Sequence, residues 1–244
     1  MPAEAGGTHP DTAADDRAPH EVDPRQLGHD LGARFTRAVA YAAEVHAGQL
    51  RKGGDVPYLA HLLGVAALVL EFGGDELQAT VAVLHDTAED QGGHVRLEEV
   101  RERFGDDVAV LVEELSDALP APGEEPGPWR PRKEAYLDDL RTAVATGSPS
   151  VLVAACDKLD NVESVIAHAT DPEAPHHAGI APDTVGLAVF DEYDDGAAGA
   201  SWYYRSLVEV FEGSDLPVRL LGRLRAAVGQ LDALADQARL VADT

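Results

Sequence analysis

Apolar residues recur at helical spacing along almost the whole chain, and this periodicity restricts the fold more than any other feature. Leu59, Leu62, Leu63, Ala66 and Leu70 fall at i, i+3, i+4, i+7 and i+11, the stripe of an amphipathic helix. Leu77, Val81, Leu84 and Ala88 mark a third helix, from an N-cap at Asp75 to about Asp90. Tyr136, Leu137, Leu140 and Val144 repeat the pattern within 132–146, and Leu220, Leu224, Ala227, Leu231 and Leu234 within 216–241. Helices are also predicted over about 32–48, 96–104, 107–118, 149–168 and 200–212. No period-two alternation is sustained and no internal repeat occurs, so the predicted class is all-α.

The connecting segments carry their own signals. Five prolines in 119–131 predict a loop. Residues 171–200 carry seven acidic side chains and no Lys or Arg, which predicts a mobile segment with one short helix near 183–190. Residues 1–28 are rich in Ala, Gly, Pro and Asp and predict a disordered tail. The remainder, 29–244, is predicted to be one domain, with its core motifs over 34–166 and C-terminal helices over 200–241.

Charge and cysteine content exclude several functions. With 19 Lys+Arg against 44 Asp+Glu the formal charge is -25, which argues against bulk attraction to nucleic acid or anionic lipid. A local basic pocket for a small phosphorylated ligand stays open. Cys156 is the only cysteine, so no intrachain disulfide and no Cys-based zinc site can form, and a reducing cytoplasm is expected. No apolar run approaches the roughly 20 residues of a bilayer span, so neither a membrane nor nucleic acid is expected as a partner. A homo-oligomer is neither required nor excluded.

The stretch Leu84-His85-Asp86-Thr87-Ala88-Glu89-Asp90 puts four polar side chains on a helix that otherwise reads as core. On one continuous helix Glu89 lies at i+4 from His85 and Asp90 at i+4 from Asp86, so all four can line one cleft. Three carboxylates beside one His repel one another unless a cation neutralises them. Two other segments add metal-capable groups. His61 opens the second helix, and Asp157 follows six small apolar residues, Val151 to Cys156, where an ionised carboxylate needs a partner. His61, His85, Asp86 and Asp157 make a mixed N/O donor set suited to Mn²⁺, Fe²⁺ or Zn²⁺, with manganese favoured by the hard ligands.

The order of these groups resembles a known family. Val45 to Lys52, Pro57-Tyr58-Leu59-Ala60-His61, Leu84 to Asp90 and Asp157-Lys158-Leu159-Asp160-Asn161 follow one another as in HD-domain hydrolases. Within them the chain is similar to RelA/SpoT-type hydrolase domains and the small alarmone hydrolases, a similarity that extends into Trp202-Tyr203-Tyr204-Arg205. The resemblance implies an HD-domain helical bundle with no synthetase domain. It also implies that His61, His85, Asp86 and Asp157 ligate a metal, usually Mn²⁺, and that Glu89 and Asp90 position or deprotonate the attacking water. Arg51 and Lys52 would lie beside the nucleotide base, Asn161 would contact sugar or phosphate, and Lys158 and Tyr203 would serve the phosphates.

The implied reaction is hydrolysis of a small nucleotide, most directly removal of the 3′-pyrophosphate from (p)ppGpp. NADPH 2′-phosphatase, (p)ppApp hydrolase, another nucleotide phosphatase and a non-catalytic nucleotide sensor are the alternatives. A di-iron oxygenase on the same scaffold would need further helix-borne histidines in the cleft. His46 is read as a structural hydrogen-bonding residue, and His168, His176 and His177 as surface residues. Two departures from the family pattern bear on the substrate: Leu62 stands where a proline is common, and Ala154 where a lysine is common.

Overall fold

In the computed structural model the described residues are 31–51, 55–119, 124, 127–171 and 185–242. The tail 1–28, Lys52, His176 and His177 lie outside them. The described chain is helical: α1 Ala33–Val45, α2 Leu59–Glu71, α3 Glu76–Leu84, α4 Thr87–Asp90, α5 Gly93–Phe104, α6 Asp106–Leu115, α7 Trp129–Thr146, α8 Ser150–Thr170, a 3₁₀ segment Val185–Glu192, α9 Gly196–Phe211 and α10 Val218–Ala242. The only extended pairing among the described residues is an isolated antiparallel bridge between Leu50 and Pro57. The all-α expectation is met.

Helix α8 runs through the centre and packs against α2, α3, α6, α7, α9 and α10. Its buried residues Val153, Ala154, Ala155, Cys156, Leu159 and Val162 surround Asp157, which is itself only 4% exposed. The sequence therefore delivers a carboxylate to the middle of the core, where burial without partners would be costly.

Several helices differ from the sequence expectation. The stripe on α2 is rotated: Leu62, Val65, Ala66, Leu68 and Val69 are buried while Leu63 is exposed, because α3 and α8 both pack on this helix. Helix α3 is buried on all sides from Ala79 to Leu84, a run in which Thr80 is the one polar side chain. It starts at a capping box, Asp75 accepting from the Gln78 backbone N–H at 2.9 Å while the Gln78 side chain accepts from the Asp75 N–H. Helix α7 begins at Trp129, before Pro131, since a proline in the first turn forfeits no intrahelical hydrogen bond. Helix α9 begins at Gly196, four residues early, with Gly199 against Trp129: a Cβ there would lie 3.6 Å from the indole. The helix expected near 183–190 is the 3₁₀ segment Val185–Glu192. On α10, Leu220, Leu224, Ala227 and Leu231 are buried as the periodicity requires.

The predicted third helix does not run unbroken to Asp90. It stops at Leu84, and Asp86, at φ -92° and ψ -2°, starts the short α4. The Thr87 hydroxyl donates to the Leu84 carbonyl at 2.6 Å, taking an acceptor that a continued helix would use. This turn sets the directions of the polar side chains around it.

Candidate metal centre

His85 lies in the turn after α3 and its Nδ1 is 2.8 Å from the Ala82 carbonyl oxygen. A carbonyl can only accept, so Nδ1 carries the proton and Nε2 presents its lone pair to the interior. His61, in the first turn of α2, makes the equivalent contact from Nδ1 to Asp160 Oδ2 at 2.7 Å. The two Nε2 atoms face the same two carboxylates. From His61 Nε2, Asp157 Oδ1 lies at 3.2 Å and Asp86 Oδ2 at 3.5 Å; from His85 Nε2 the distances are 3.4 Å and 3.0 Å.

Both Nε2 atoms are buried and make no hydrogen bond. Donors held at about 2.0–2.2 Å from one ion lie about 2.8–3.6 Å from each other in tetrahedral or octahedral arrangements, the spacing found here. His61, His85 and Asp86 bring ligand atoms within 4.8 Å of one another, and Asp157 joins them through its contacts with the two imidazoles. The donor set fits a divalent cation.

Charge inside this cluster is strongly coupled. Burial opposes protonation of His61, but Asp157, Asp160 and Asp86 outweigh it and carry its pKa up to about 10. His85 is raised against burial by Asp86 and Asp157. Burial would raise both carboxylates, yet His85 and His61 hold Asp86 low, and Lys158 with the same histidines holds Asp157 low. Without a cation the imidazoles take up protons whose charge stands in for one, and an ion that enters displaces those protons to reach the Nε2 lone pairs.

Around the donors lies a ring of supporting groups. Tyr58 Oη donates to Asp86 Oδ2 at 2.5 Å. Asp157 accepts from Lys158 Nζ at 2.6 Å on Oδ2 and from Asn161 Nδ2 at 2.6 Å on Oδ1. Lys158 and Asn161, expected at the substrate, are therefore bound first to the carboxylate. Arg51 leaves the loop closed by the Leu50–Pro57 bridge and reaches α8, with Nη1 2.9 Å from Asp160 Oδ2 and Nη2 donating to Asn161 Oδ1 at 3.4 Å.

Glu89 and Asp90 diverge from the broken helix. Glu89 Oε2 accepts from the Asp117 backbone N–H at 3.0 Å, whereas Asp90 Oδ2 accepts from Gln49 Nε2 at 2.7 Å. Burial and the Asp117 charge push the Glu89 carboxyl up to about 8, and burial with the Asp86 charge raises Asp90. Asp117 is ion-paired to Arg132 at 2.6 Å and to Lys133. Burial opposes its ionisation, but Lys133 and its other partners hold it down to about 2. Tyr203 packs beneath Lys133, which lies 5.2 Å from its ring, and its buried hydroxyl makes no hydrogen bond; the same holds for the Tyr136 hydroxyl near Lys158.

His46 stacks on Tyr58 at 5.1 Å between ring centroids and pairs through Nδ1 with Gln49 Oε1 at 2.8 Å, in keeping with a structural role. His168 bonds the Ser164 carbonyl within α8, away from the cluster. Three groups escaped the sequence reading. Asp160 and Tyr58 were accessible in principle, each three residues from a donor on the same helical face. Asp117 was not: it lies 28 residues from Glu89 in a loop, and no local pattern links the two.

A family model described as HD domain matches residues 38–184. A guanosine-3′,5′-bis(diphosphate) 3′-pyrophosphohydrolase of Xenopus tropicalis is 35% identical over 136 residues, covering 54% of this chain and 70% of that protein. The enzyme of the same description from Aquifex aeolicus is 36% identical over 131 residues, covering 53% of this chain. A GTP pyrophosphokinase of Myxococcus xanthus is 47% identical over 77 residues. The chain spans only 17% of the Aquifex protein and 10% of the Myxococcus protein. Among solved structures, a metazoan ortholog of SpoT, described as hydrolysing ppGpp, superposes with a TM-score of 0.58 at 23% identity, covering 82% of this chain and 96% of that one. The paired imidazoles and carboxylates, the matched span and the Xenopus relative agree, and the chain belongs to the HD-domain family.

Proposed function

We propose that this protein is a metal-dependent nucleotide phosphohydrolase that removes the 3′-pyrophosphate from (p)ppGpp. The observation that carries the reading is the pair of buried, unbonded Nε2 atoms facing two carboxylates, with Glu89 and Asp90 alongside. The names of the Aquifex and Xenopus relatives support the substrate.

In this reading His61, His85, Asp86 and Asp157 hold the ion, taken as Mn²⁺ from the mixed imidazole and carboxylate donors. When bound, a divalent cation polarises a phosphoryl oxygen and lowers the pKa of water. Glu89 and Asp90 take the proton of the attacking water and align it as its oxygen bonds to phosphorus, the bond from phosphorus to the ribose oxygen breaks, and the proton passes to that leaving oxygen. A buried carboxyl raised towards neutrality is suited to that exchange. Arg51 offers a fixed charge and a planar face to the base, with Lys52 beside it in sequence. Asn161, Lys158 and Tyr203 border the phosphate side. Residues 29–244 act as one domain, and the single buried cysteine is consistent with work in a reducing cytoplasm. Among the described residues no helix is long and apolar enough to cross a membrane.

The test is a release screen with added Mn²⁺ over ppGpp, pppGpp, ppApp and NADPH, reading phosphate and pyrophosphate separately. Pyrophosphate from ppGpp, absent with Asp157→Ala, is the expected result. Mn²⁺-loaded protein that releases neither product from any of them overturns the reading in favour of a nucleotide sensor.

A further inference from the structure

Asp160 is the acidic side chain beside the cluster that neither donates to it nor belongs to the acidic pair. Its Oδ2 lies 2.7 Å from His61 Nδ1 and 2.9 Å from Arg51 Nη1, so one oxygen serves a donor imidazole and the loop arginine together. Space for it is provided by Gly64, three residues after His61 on α2: a Cβ there would lie 2.6 Å from Asp160 Oδ1. Any other residue at 64 would drive the carboxylate away. Among the described residues, the basic groups that bond Asp160 are His61 and Arg51.

From this geometry we infer that Asp160 is a positioning residue that couples the metal centre to the substrate loop. The inference rests on the reading of the cluster as a metal site and of Arg51 as a base contact. Its action on the metal is through His61. A carboxylate on Nδ1 fixes the tautomer, aims Nε2 at the cluster and makes the imidazole a stronger donor. Its action on the substrate is through Arg51, whose side chain it anchors to α8 through Nη1, so that among the described residues no contact engages Nε. A carboxylate lost at this position therefore affects two distant properties at once, and Gly64 is the feature of α2 that permits it.

The experiment uses the full chain, stripped with chelator and titrated with Mn²⁺. Metal affinity is read directly, the melting temperature of the metal-free protein serves as the fold control, and KM and kcat are measured for the nucleotide found in the release screen. Asp160→Ala and Gly64→Ala should each weaken Mn²⁺ binding by about 10- to 100-fold and raise KM several-fold. Asp160→Asn, which keeps an acceptor of the same shape, should recover part of the metal affinity. Arg51→Ala should raise KM yet leave Mn²⁺ affinity within about threefold, and adding Asp160→Ala to it should raise KM less than in the wild-type background, the signature of a shared contact. Unchanged Mn²⁺ affinity in folded Asp160→Ala overturns the inference, as does a KM effect that simply multiplies. Failure of the wild-type protein to bind Mn²⁺ overturns the metal reading itself, a separate result. If Asp160→Ala does not fold, Asp160→Asn decides the matter by the same two readouts.

Discussion

Asp157 and Glu89 are both buried carboxyls on helices near one cluster, yet they ionise in opposite senses. Asp157 has Lys158, Asn161 and two imidazoles around its oxygens and is held low. Glu89 has a backbone N–H and a neighbouring Asp117 whose cations are already engaged, and is carried up to about 8. In the proposed function the first holds positive charge and the second exchanges a proton. Glu89→Gln and Asp90→Asn should therefore keep bound metal while lowering kcat by about 10² to 10⁴; a wild-type rate in both removes the acidic pair from the reaction. The same shift has a consequence for stability. In metal-free protein the folded state holds a proton on Glu89 between its ordinary pKa of about 4.3 and about 8, so stability falls as pH rises through that window. His61 has the same sign over a higher window: its contribution is complete below about 6.5 and lost as pH rises through about 10. Between about pH 4.5 and 5.5, a unit or more below the unfolded histidine pKa, the histidine contribution is nearly constant. Melting curves of chelator-treated protein should there decline more steeply for wild type than for Glu89→Gln, and parallel curves would contradict the raised Glu89 pKa.

At the scale of elements, the turn between α3 and α4 does the most. From Ala79 to Leu84 α3 is buried on all sides and carries no ionisable group, so those groups gather where it ends. The break at Asp86 separates the donors His85 and Asp86 from Glu89 and Asp90, and lets the latter two point to Asp117 and Gln49 instead of stacking on one face. The opposite end of α3 is fixed by the Asp75–Gln78 capping box, remote from the donors in sequence. Asp75→Ala should cost about 1 kcal/mol of stability with metal affinity and kcat retained, and a loss of metal in that variant would mean that the register of α3 is set from its N-terminus. Chemical denaturation alongside Mn²⁺ titration separates the outcomes.

Over the whole molecule, the proposed function requires a formal charge of -25 to coexist with an anionic substrate. Long-range attraction is adverse, so capture depends on close groups such as Arg51, and salt should help encounter by screening the repulsion. The association rate constant of nucleotide with Glu89→Gln protein should rise as KCl is added in the range of about 0.02 to 0.2 M. A fall over that range would indicate that a local positive field at the cleft dominates approach. Mn²⁺ itself should stabilise the fold, by about 2.7 kcal/mol at a free concentration 100 times its Kd.

The sequence determined the class of the fold, the faces of α7 and α10 and the four residues that meet at the cluster, because helical periodicity and a buried His or Asp are local signals. His61, His85, Asp86 and Asp157 were each conspicuous as polar groups in apolar surroundings, and the structure places each imidazole Nε2 3.0–3.5 Å from an oxygen of each aspartate. Tertiary packing decided the rest. The face of α2 that is buried depends on which two helices flank it, and the break after α3 depends on a hydroxyl that outcompetes one backbone bond. Lys158 and Asn161 were legible as polar residues near a donor, but only packing shows that Asp157 takes them first. Asp117 beneath Glu89 and Asp160 between His61 and Arg51 are pairings across 28, 99 and 109 residues. Contacts of that separation have no periodic signature; they exist because a close-packed interior leaves each buried charge few places to find a partner.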